Sequence, residues 1–216
     1  MNVGNNCYMA SFLQTLFHTD PFKEIILNTQ IHSTNITVKL TAKCLQEVFA
    51  LMAMSNRHFV NPANLKKVLG VPWSQYGQQD AWEFGLVLLD LIEKGLPQSA
   101  SIFSGKFRQA ISCSQCRNES IRYEAFNSLT LQFPEKEPTS KEEEKEPKKE
   151  DSLHPNTYPD TLSGLLQFSF REENMCGTNQ IFCEKCNKRQ DGTKKVEIEE
   201  SPDHLIINLS RFHYSY

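Results

Sequence analysis

Asn2-Val3-Gly4-Asn5-Asn6-Cys7-Tyr8-Met9-Ala10-Ser11-Phe12-Leu13-Gln14-Thr15-Leu16-Phe17 opens the chain after its first methionine. The later part of this stretch carries Met9, Phe12, Leu13, Leu16 and Phe17 at i, i+3, i+4, i+7 and i+8, which is one apolar face of an amphipathic helix. The earlier part, with Gly4-Asn5-Asn6, reads as a loop. Cys7 therefore stands at a helix start, where unpaired backbone N–H groups and the positive end of the helix dipole favour a thiolate. Asn2, Asn5 and Asn6 can each bring a side-chain N–H, beside the backbone N–H of Cys7, against a developing oxyanion. The same pattern suits a small cysteine filling a core gap beneath an ordinary helix, and local spacing does not separate the two.

Outward from this helix, Asp20-Pro21 ends or kinks it. A second helical stretch runs near Thr41 to Met54, with Leu45, Val48, Phe49 and Met52 on one face, and Asn61-Pro62 opens a short helix or turn. Trp82 to Ile92 is apolar on nearly all sides and reads as a buried helix, ended by Gly95 and Pro97. The period then changes. Phe107, Gln109 and Ile111, then Ile121 to Tyr123, then Leu129, Leu131 and Phe133 alternate as antiparallel strands would. Glu135 to Asp151 is a Lys/Glu run with two prolines and no apolar residue, too polar to repay its ordering entropy. A disordered charged insert is expected over 135–159. Thr161 to Phe170 reads as a short helix or turn, and Lys194 to Glu199 and Leu205 to Phe212 as strands, the second apolar enough to be central.

Composition narrows the function classes. The 216 residues, 39% of them hydrophobic, suffice for one large domain or two small ones. A net charge of −3 without a basic block argues against phosphate-backbone binding, so no nucleic-acid partner is expected. No window approaches eighteen consecutive apolar residues, and the first residues form neither a basic n-region nor an apolar h-region. The chain reads as soluble, unexported and without a membrane partner, in the cytoplasm or nucleus. Seven cysteines, four of them in two C-x-x-C pairs, favour metal or catalysis over disulfides in such a reducing compartment.

Cys113-Ser-Gln-Cys116 and Cys183-Glu-Lys-Cys186 each present two thiolates from one tight turn, and two such turns complete a tetrahedral Zn²⁺ site. The interval between them exceeds usual zinc-ribbon spacing, and the charged insert accounts for much of the excess. The alternatives are unrelated turns with free thiols or a redox dithiol. Four cysteine ligands leave no position for water, so the zinc would be structural. Cys176 reads as a loop thiol and Cys44 as a core residue. In Tyr76-Gly77-Gln78-Gln79-Asp80-Ala81-Trp82-Glu83-Phe84, Asp80 suits a helix N-cap and Glu83 the far side of a capping box. The same two carboxylates suit a basic peptide, and spacing leaves both readings open.

Together these segments resemble the ubiquitin-specific protease family of papain-like cysteine deubiquitinases. The opening stretch is similar to that family's cysteine box, N-x-G-N-T-C-Y-x-N-S-x-x-Q-x-L-F, with Asn6 in place of Thr and Ala10 in place of Asn. Gln78-Gln79-Asp80-Ala81-Trp82-Glu83-Phe84 resembles its Q-Q-D-A-x-E-F box. Phe103-Ser104-Gly105-Lys106-Phe107 before the first C-x-x-C, and Pro202-Asp203-His204-Leu205-Ile206-Ile207-Asn208-Leu209-Ser210-Arg211-Phe212 after the second, match later boxes.

The resemblance implies an α+β fold shaped as a hand: a helical thumb over 1–97, and a β palm with zinc-bearing β fingers over 98–134 and 160–216. It implies Cys7 as nucleophile, Asn2 as oxyanion donor, Cys113, Cys116, Cys183 and Cys186 as zinc ligands, and ubiquitin with ubiquitylated proteins as partners. Ubiquitin's basic C-terminal tail would lie between thumb and palm, which makes Gln78, Asp80 and Glu83 tail-facing candidates. The implied reaction is hydrolysis at ubiquitin's terminal glycine through a Cys7 thioester. The family's base lies in a G-H-Y box, and none of His18, His32, His58, His154, His204 and His213 has that context. A domain cut before its histidine box, weakly active or inactive alone, is therefore expected. The alternative is a non-catalytic zinc-stabilised module that binds ubiquitin or another partner.

Overall fold

The computed structural model of the protein describes residues 5–133 and 161–211. Asn2, the insert expected over 135–159, His154 and His213 lie outside the described residues. The chain divides into two compact units, one made of the described residues up to Ser104 with Pro202–Leu205, the other of Gly105–Ser201 with the residues from Ile206 onward. Helices fill the first unit and strands dominate the second, giving the α+β content expected.

The first unit contains α1 (Cys7–Phe17), α2 (Asp20–Asn28), α3 (Ile36–Met54), α4 (Ala63–Leu69) and α5 (Ala81–Gly95). Helix α1 has the limits its apolar period gives and buries Tyr8, Met9, Leu13 and Leu16. Asp20-Pro21 opens a new helix instead of only closing the old one. Proline in the first turn of α2 lacks only an N–H that would be orphaned there anyway. Helix α3 starts ahead of the expected Thr41 because the Asn35 side chain accepts from the N–H groups of Thr37 and Val38, at 2.9 and 3.2 Å. Helix α5 is amphipathic rather than buried all round. Phe84, Leu88 and Ile92 are fully buried, whereas Leu86 and Val87 are each 39% exposed. Phe22, Phe49, Phe84, Leu45, Leu88 and Ile92 dominate this core.

The second unit carries a four-stranded sheet in the order β2-β1-β7-β4, formed by β1 (Gly105–Cys113), β2 (Glu119–Phe126), β4 (Glu173–Met175) and β7 (Gly192–Glu200). All its pairings are antiparallel. The expectation of antiparallel pairing fails for β3 (Leu129–Gln132), which runs parallel to β8 (Ile207–Ser210). Among the described residues β8 pairs only with β3 and is half-buried, so it is not the central strand its apolar run suggests. Leu129, Leu131 and Leu165, the last from α6 (Leu162–Ser169), form a small core with Phe107, Phe126 and Ile198 packed against it. The short strands β5 (Ile181–Cys183) and β6 (Lys188–Gln190) make a separate antiparallel pair.

Candidate functional site

Cys7 is the first residue of α1, and its side chain is exposed. It does not fill a core gap. The core role falls to its neighbour Tyr8, whose ring lies 5.5 Å from Phe84 edge-on and 5.9 Å from Trp73. Trp73 and Phe84 are themselves 5.5 Å apart. This three-ring cluster gives the residue after Cys7 a fixed seat, each pair adding roughly 0.5–1.5 kcal/mol beyond its area burial. Burial pushes the Tyr8 phenol above its ordinary range, and the neighbouring Cys7 charge pushes it the same way.

The same cluster brings together two segments that lie far apart in sequence. Tyr8 is in the first turn of α1 and Phe84 in the first turn of α5, so their contact sets the N-termini of the two helices side by side. Further along, Phe12 approaches so closely that a Cβ on Gly85 would lie 2.4 Å from its ring. At the head of α5 the Asp80 carboxylate accepts from the N–H groups of Trp82 and Glu83, at 2.6 and 3.1 Å. The capping reading of Asp80 is realised. No bond from the Glu83 side chain completes a capping box among the described residues, and Gln78, Asp80 and Glu83 are all exposed.

Asn6 is the N-cap residue of α1 and is only 8% exposed, yet its side chain does not cap the helix. Its Oδ1 accepts from Lys66 Nζ of α4 at 2.9 Å. Lys66, Lys67, Ser74 and Tyr76 surround an open depression of about 280 Å³ beside Asn6. Sequence reading passes over Lys66 because no spacing rule links residues so distant. The substitution of Asn for Thr before Cys7 is the only hint.

The described histidines are placed elsewhere. His18 caps the far end of α1, a helix length or roughly 16 Å from Cys7. His204 donates its backbone N–H to Ile102 O at 3.1 Å. His32 and His58 are exposed. Among the described residues no hydrogen bond joins Cys7 to a histidine.

In the second unit Cys113, Cys116, Cys183 and Cys186 converge, with all four Sγ atoms within 4.8 Å of one another. The first pair occupies the turn from β1 to β2 and the second the turn from β5 to β6. Both turns use the same device: Arg117 and Asn187, each directly after its C-x-x-C, have positive φ of 55° and 51°. The Arg117 N–H closes back on Cys113 O at 2.9 Å, and the Ser114 N–H donates to Asp191 O at 2.9 Å. A tetrahedron of thiolates about 2.3 Å from Zn²⁺ has edges of roughly 3.8 Å. The Cys116 and Cys183 sulfurs, 3.5 Å apart, fit that size. Without a cation the thiols compete. Backbone N–H groups of Cys116 and Gln115 bring Cys113 down to about 7, whereas the hydrogen bond with Cys116, aided by burial, pushes Cys186 up to about 12. A divalent cation removes this conflict, since it stabilises every thiolate at once. Cys176 is exposed and Cys44 half-buried; neither belongs to the cluster.

Against known proteins, the family model described as ubiquitin carboxyl-terminal hydrolase matches residues 1–216. Ubiquitin carboxyl-terminal hydrolase 48 of Danio rerio is 29% identical over 227 residues, which cover 98% of this chain and 19% of that protein. Ubiquitin C-terminal hydrolase 22 of Arabidopsis thaliana is 26% identical, with 99% of this chain and 42% of the relative covered. Ubiquitin carboxyl-terminal hydrolase 47 of Xenopus tropicalis is 26% identical over all of this chain and 15% of its own length. The chain thus spans less than half the length of these relatives. With the family's model running from one end to the other over the cysteine box and both C-x-x-C pairs, the chain belongs to the ubiquitin carboxyl-terminal hydrolase family, as its ubiquitin-specific protease motifs imply.

Proposed function

We propose that this chain carries the nucleophile, tail-binding and metal-bearing parts of a thiol deubiquitinase. It would act on peptide or isopeptide bonds at the C-terminal glycine of ubiquitin. The observation that supports this reading most is Cys7, an exposed thiol at the first position of a helix, inside the cysteine box of the matched family. In the proposed reaction the Cys7 sulfur attacks the glycine carbonyl carbon and the carbonyl electrons move to oxygen. Collapse of that oxyanion expels the lysine amine, which leaves with a proton, and a thioester remains. Water then attacks the thioester, releasing ubiquitin's carboxylate and restoring the thiol. Asn2 and the Cys7 backbone N–H are the oxyanion donors of this reading.

Gln78, Asp80 and Glu83 receive the basic ubiquitin tail. Their place supports this role, because the Tyr8–Phe84 contact puts the head of α5 next to the head of α1. Asp80 serves both as cap and as ligand, since one carboxylate oxygen accepts both backbone bonds. Cys113, Cys116, Cys183 and Cys186 hold a structural zinc that fixes the two finger turns and takes no part in acyl transfer. The helical residues 1–97 are the thumb of a papain-like hand, and 98–134 with 160–216 its fingers and palm. Free thiols throughout suit a cytosolic or nuclear protein.

Turnover needs a base on the thiol and on the attacking water. No histidine of the chain stands in the family's G-H-Y context, and among the described residues none bonds to Cys7, so the 216-residue chain is expected to release a ubiquitin-amide reporter slowly or not at all. Slow release that disappears in Cys7→Ala supports the proposal. Release unchanged by Cys7→Ala refutes it, and ubiquitin binding with neither Cys7-dependent release nor capture of Cys7 by a ubiquitin electrophile assigns the non-catalytic zinc-stabilised module instead.

A further inference from the structure

The four-stranded sheet ends in β4 on one side and β2 on the other. β4 has three residues, short enough to protect its own edge. β2 has eight, all but Phe126 exposed, with no proline, no lysine and no bulge against β1. Those are the devices that ordinarily blunt an edge, and charge is the guard that is left. The Cys113 N–H donates to Asn118 O at 3.0 Å, and the regular register continues this pairing through Ile111↔Ser120, Gln109↔Arg122 and Phe107↔Glu124. Those β2 residues turn their backbone groups onto β1, so Glu119, Ile121, Tyr123 and Ala125 direct theirs outward. Among the described residues β2 pairs with no other strand. Its side chains alternate, with Arg122 and Glu124 on one face and Ile121 and Tyr123, 42% and 56% exposed, on the other. Neither Arg122 nor Glu124 has an ion pair among the described residues, whereas Arg108 in β1 holds Glu119 and Glu197 at 3.3 and 3.2 Å.

A second copy of β2, laid antiparallel along this edge about a two-fold axis, must match outward-directed residues with outward-directed residues. Few registers satisfy that. Centred on Tyr123, the pairing sets Arg122 opposite the partner's Glu124 and Glu124 opposite the partner's Arg122. Both fall at non-hydrogen-bonded positions, where side chains lie closest. On the other face Tyr123 meets its own copy and Ile121 meets Ala125. One step either way, Arg122 would face Arg122 or Glu124 would face Glu124, and like charges directly opposite repel. We propose that β2 is a self-association edge: two copies join β2 to β2 in the register centred on Tyr123, closing two cross-strand ion pairs and merging their sheets. Eight residues a side is well below the roughly 20–30 of a stable interface, so the dimer is weak and concentration-dependent. The pairing uses no residue of the Cys7 site or the four-cysteine cluster, so it stands apart from the deubiquitinase reading.

The test follows the mass of the full chain by sedimentation equilibrium in reducing buffer, from about 5 to 500 μM, the range of weak transient contacts. The unsubstituted chain should move from 24.8 kDa toward twice that mass. Arg122→Glu and Glu124→Arg each turn both ion pairs into like-charge pairs, and each should raise the dissociation constant about tenfold or more. The double variant Arg122→Glu/Glu124→Arg re-forms both pairs with the signs exchanged and should return to within about threefold of the unsubstituted chain. An equimolar mixture of the two single variants should form a mixed dimer, because one edge is then acidic at both positions and the other basic. An unsubstituted chain that stays at the monomer mass throughout overturns the proposal and leaves the edge to a strand from a different protein. Undiminished association of both single variants overturns it too, since another surface is then in use. A double variant as weak as either single one overturns the register.

Discussion

Asp80 has two roles in this account, and two substitutions separate them. Asp80→Ala removes both the cap and the charge at the head of α5. The structure gives the cap two bonds, of 2.6 Å to the Trp82 N–H and 3.1 Å to the Glu83 N–H. Replacing such a cap by alanine costs about 1 kcal/mol, within a range of roughly 0.5–2. The upper half of that range applies here, because the freed turn includes Phe84, which is fully buried against Tyr8 and Trp73. For a unit of this size, about 1.2–2 kcal/mol lowers Tm by roughly 5–15 °C. Asp80→Asn keeps an equally good cap and loses only the interaction of the charge with the helix dipole, about 0.3–1 kcal/mol at an exposed site. Its Tm should fall by no more than half as much. Ubiquitin binding should follow the charge, weakening in both variants and more steeply at low salt. Thermal melts followed by circular dichroism at 222 nm, paired with titration of ubiquitin at two ionic strengths, read both effects. An unchanged Tm for Asp80→Ala would refute the capping energetics, and full ubiquitin affinity in Asp80→Asn would refute the tail-binding role.

The four-cysteine cluster predicts about one zinc per chain purified under reducing conditions, measured by elemental analysis. Cys183→Ser, which removes a cluster thiol only 4% exposed, should bring this below half an equivalent. Gly192 pairs with Cys113 across β7 and β1, and a Cβ there would lie 2.5 Å from Ser112 O. Gly192→Ala should therefore destabilise the stranded unit by about 1–3 kcal/mol in urea melts and weaken zinc retention, whereas a neutral outcome would contradict the packing described. Burial, and after it the Glu47 charge, pushes the Cys44 thiol above its ordinary value. A raised thiol holds less thiolate at any pH below that value, so Cys44 should be alkylated several-fold more slowly than exposed Cys176 at pH 8. Equal rates would contradict that placement.

The parts of the molecule legible in the sequence are those whose chemistry needs a fixed spacing. The period of Met9, Phe12, Leu13 and Leu16 gives α1 its face and its limits. The C-x-x-C pairs show their grouping because two thiols on one tight turn serve few other purposes. The rest depends on context. Proline in the first turn of α2 looks like a break, since a sequence does not say on which side of it the helix lies. The start of α3 was lost because Ile36 and Leu40 are exposed and so carry no apolar phase. Alternation shows that β3 is a strand but not that its partner β8 runs parallel to it. β4, β5 and β6 are three residues each, too short to display a period. At the site, local pattern shows that Cys7 starts a helix and that Asp80 can cap one, but leaves open what either does. The Lys66–Asn6 bond was not legible, because it exists only once α4 is folded beside α1.

If Cys7 attacks the C-terminal carbonyl of ubiquitin, as proposed, an electrophile placed at that carbonyl should capture it. The most direct measurement uses ubiquitin whose terminal glycine carries a thiol-reactive electrophile, incubated with the 216-residue chain and followed by intact-mass and peptide mapping. A single covalent adduct is expected on Cys7, absent in Cys7→Ala and suppressed by excess unmodified ubiquitin. No adduct, or one on Cys176 that persists in Cys7→Ala, would contradict it.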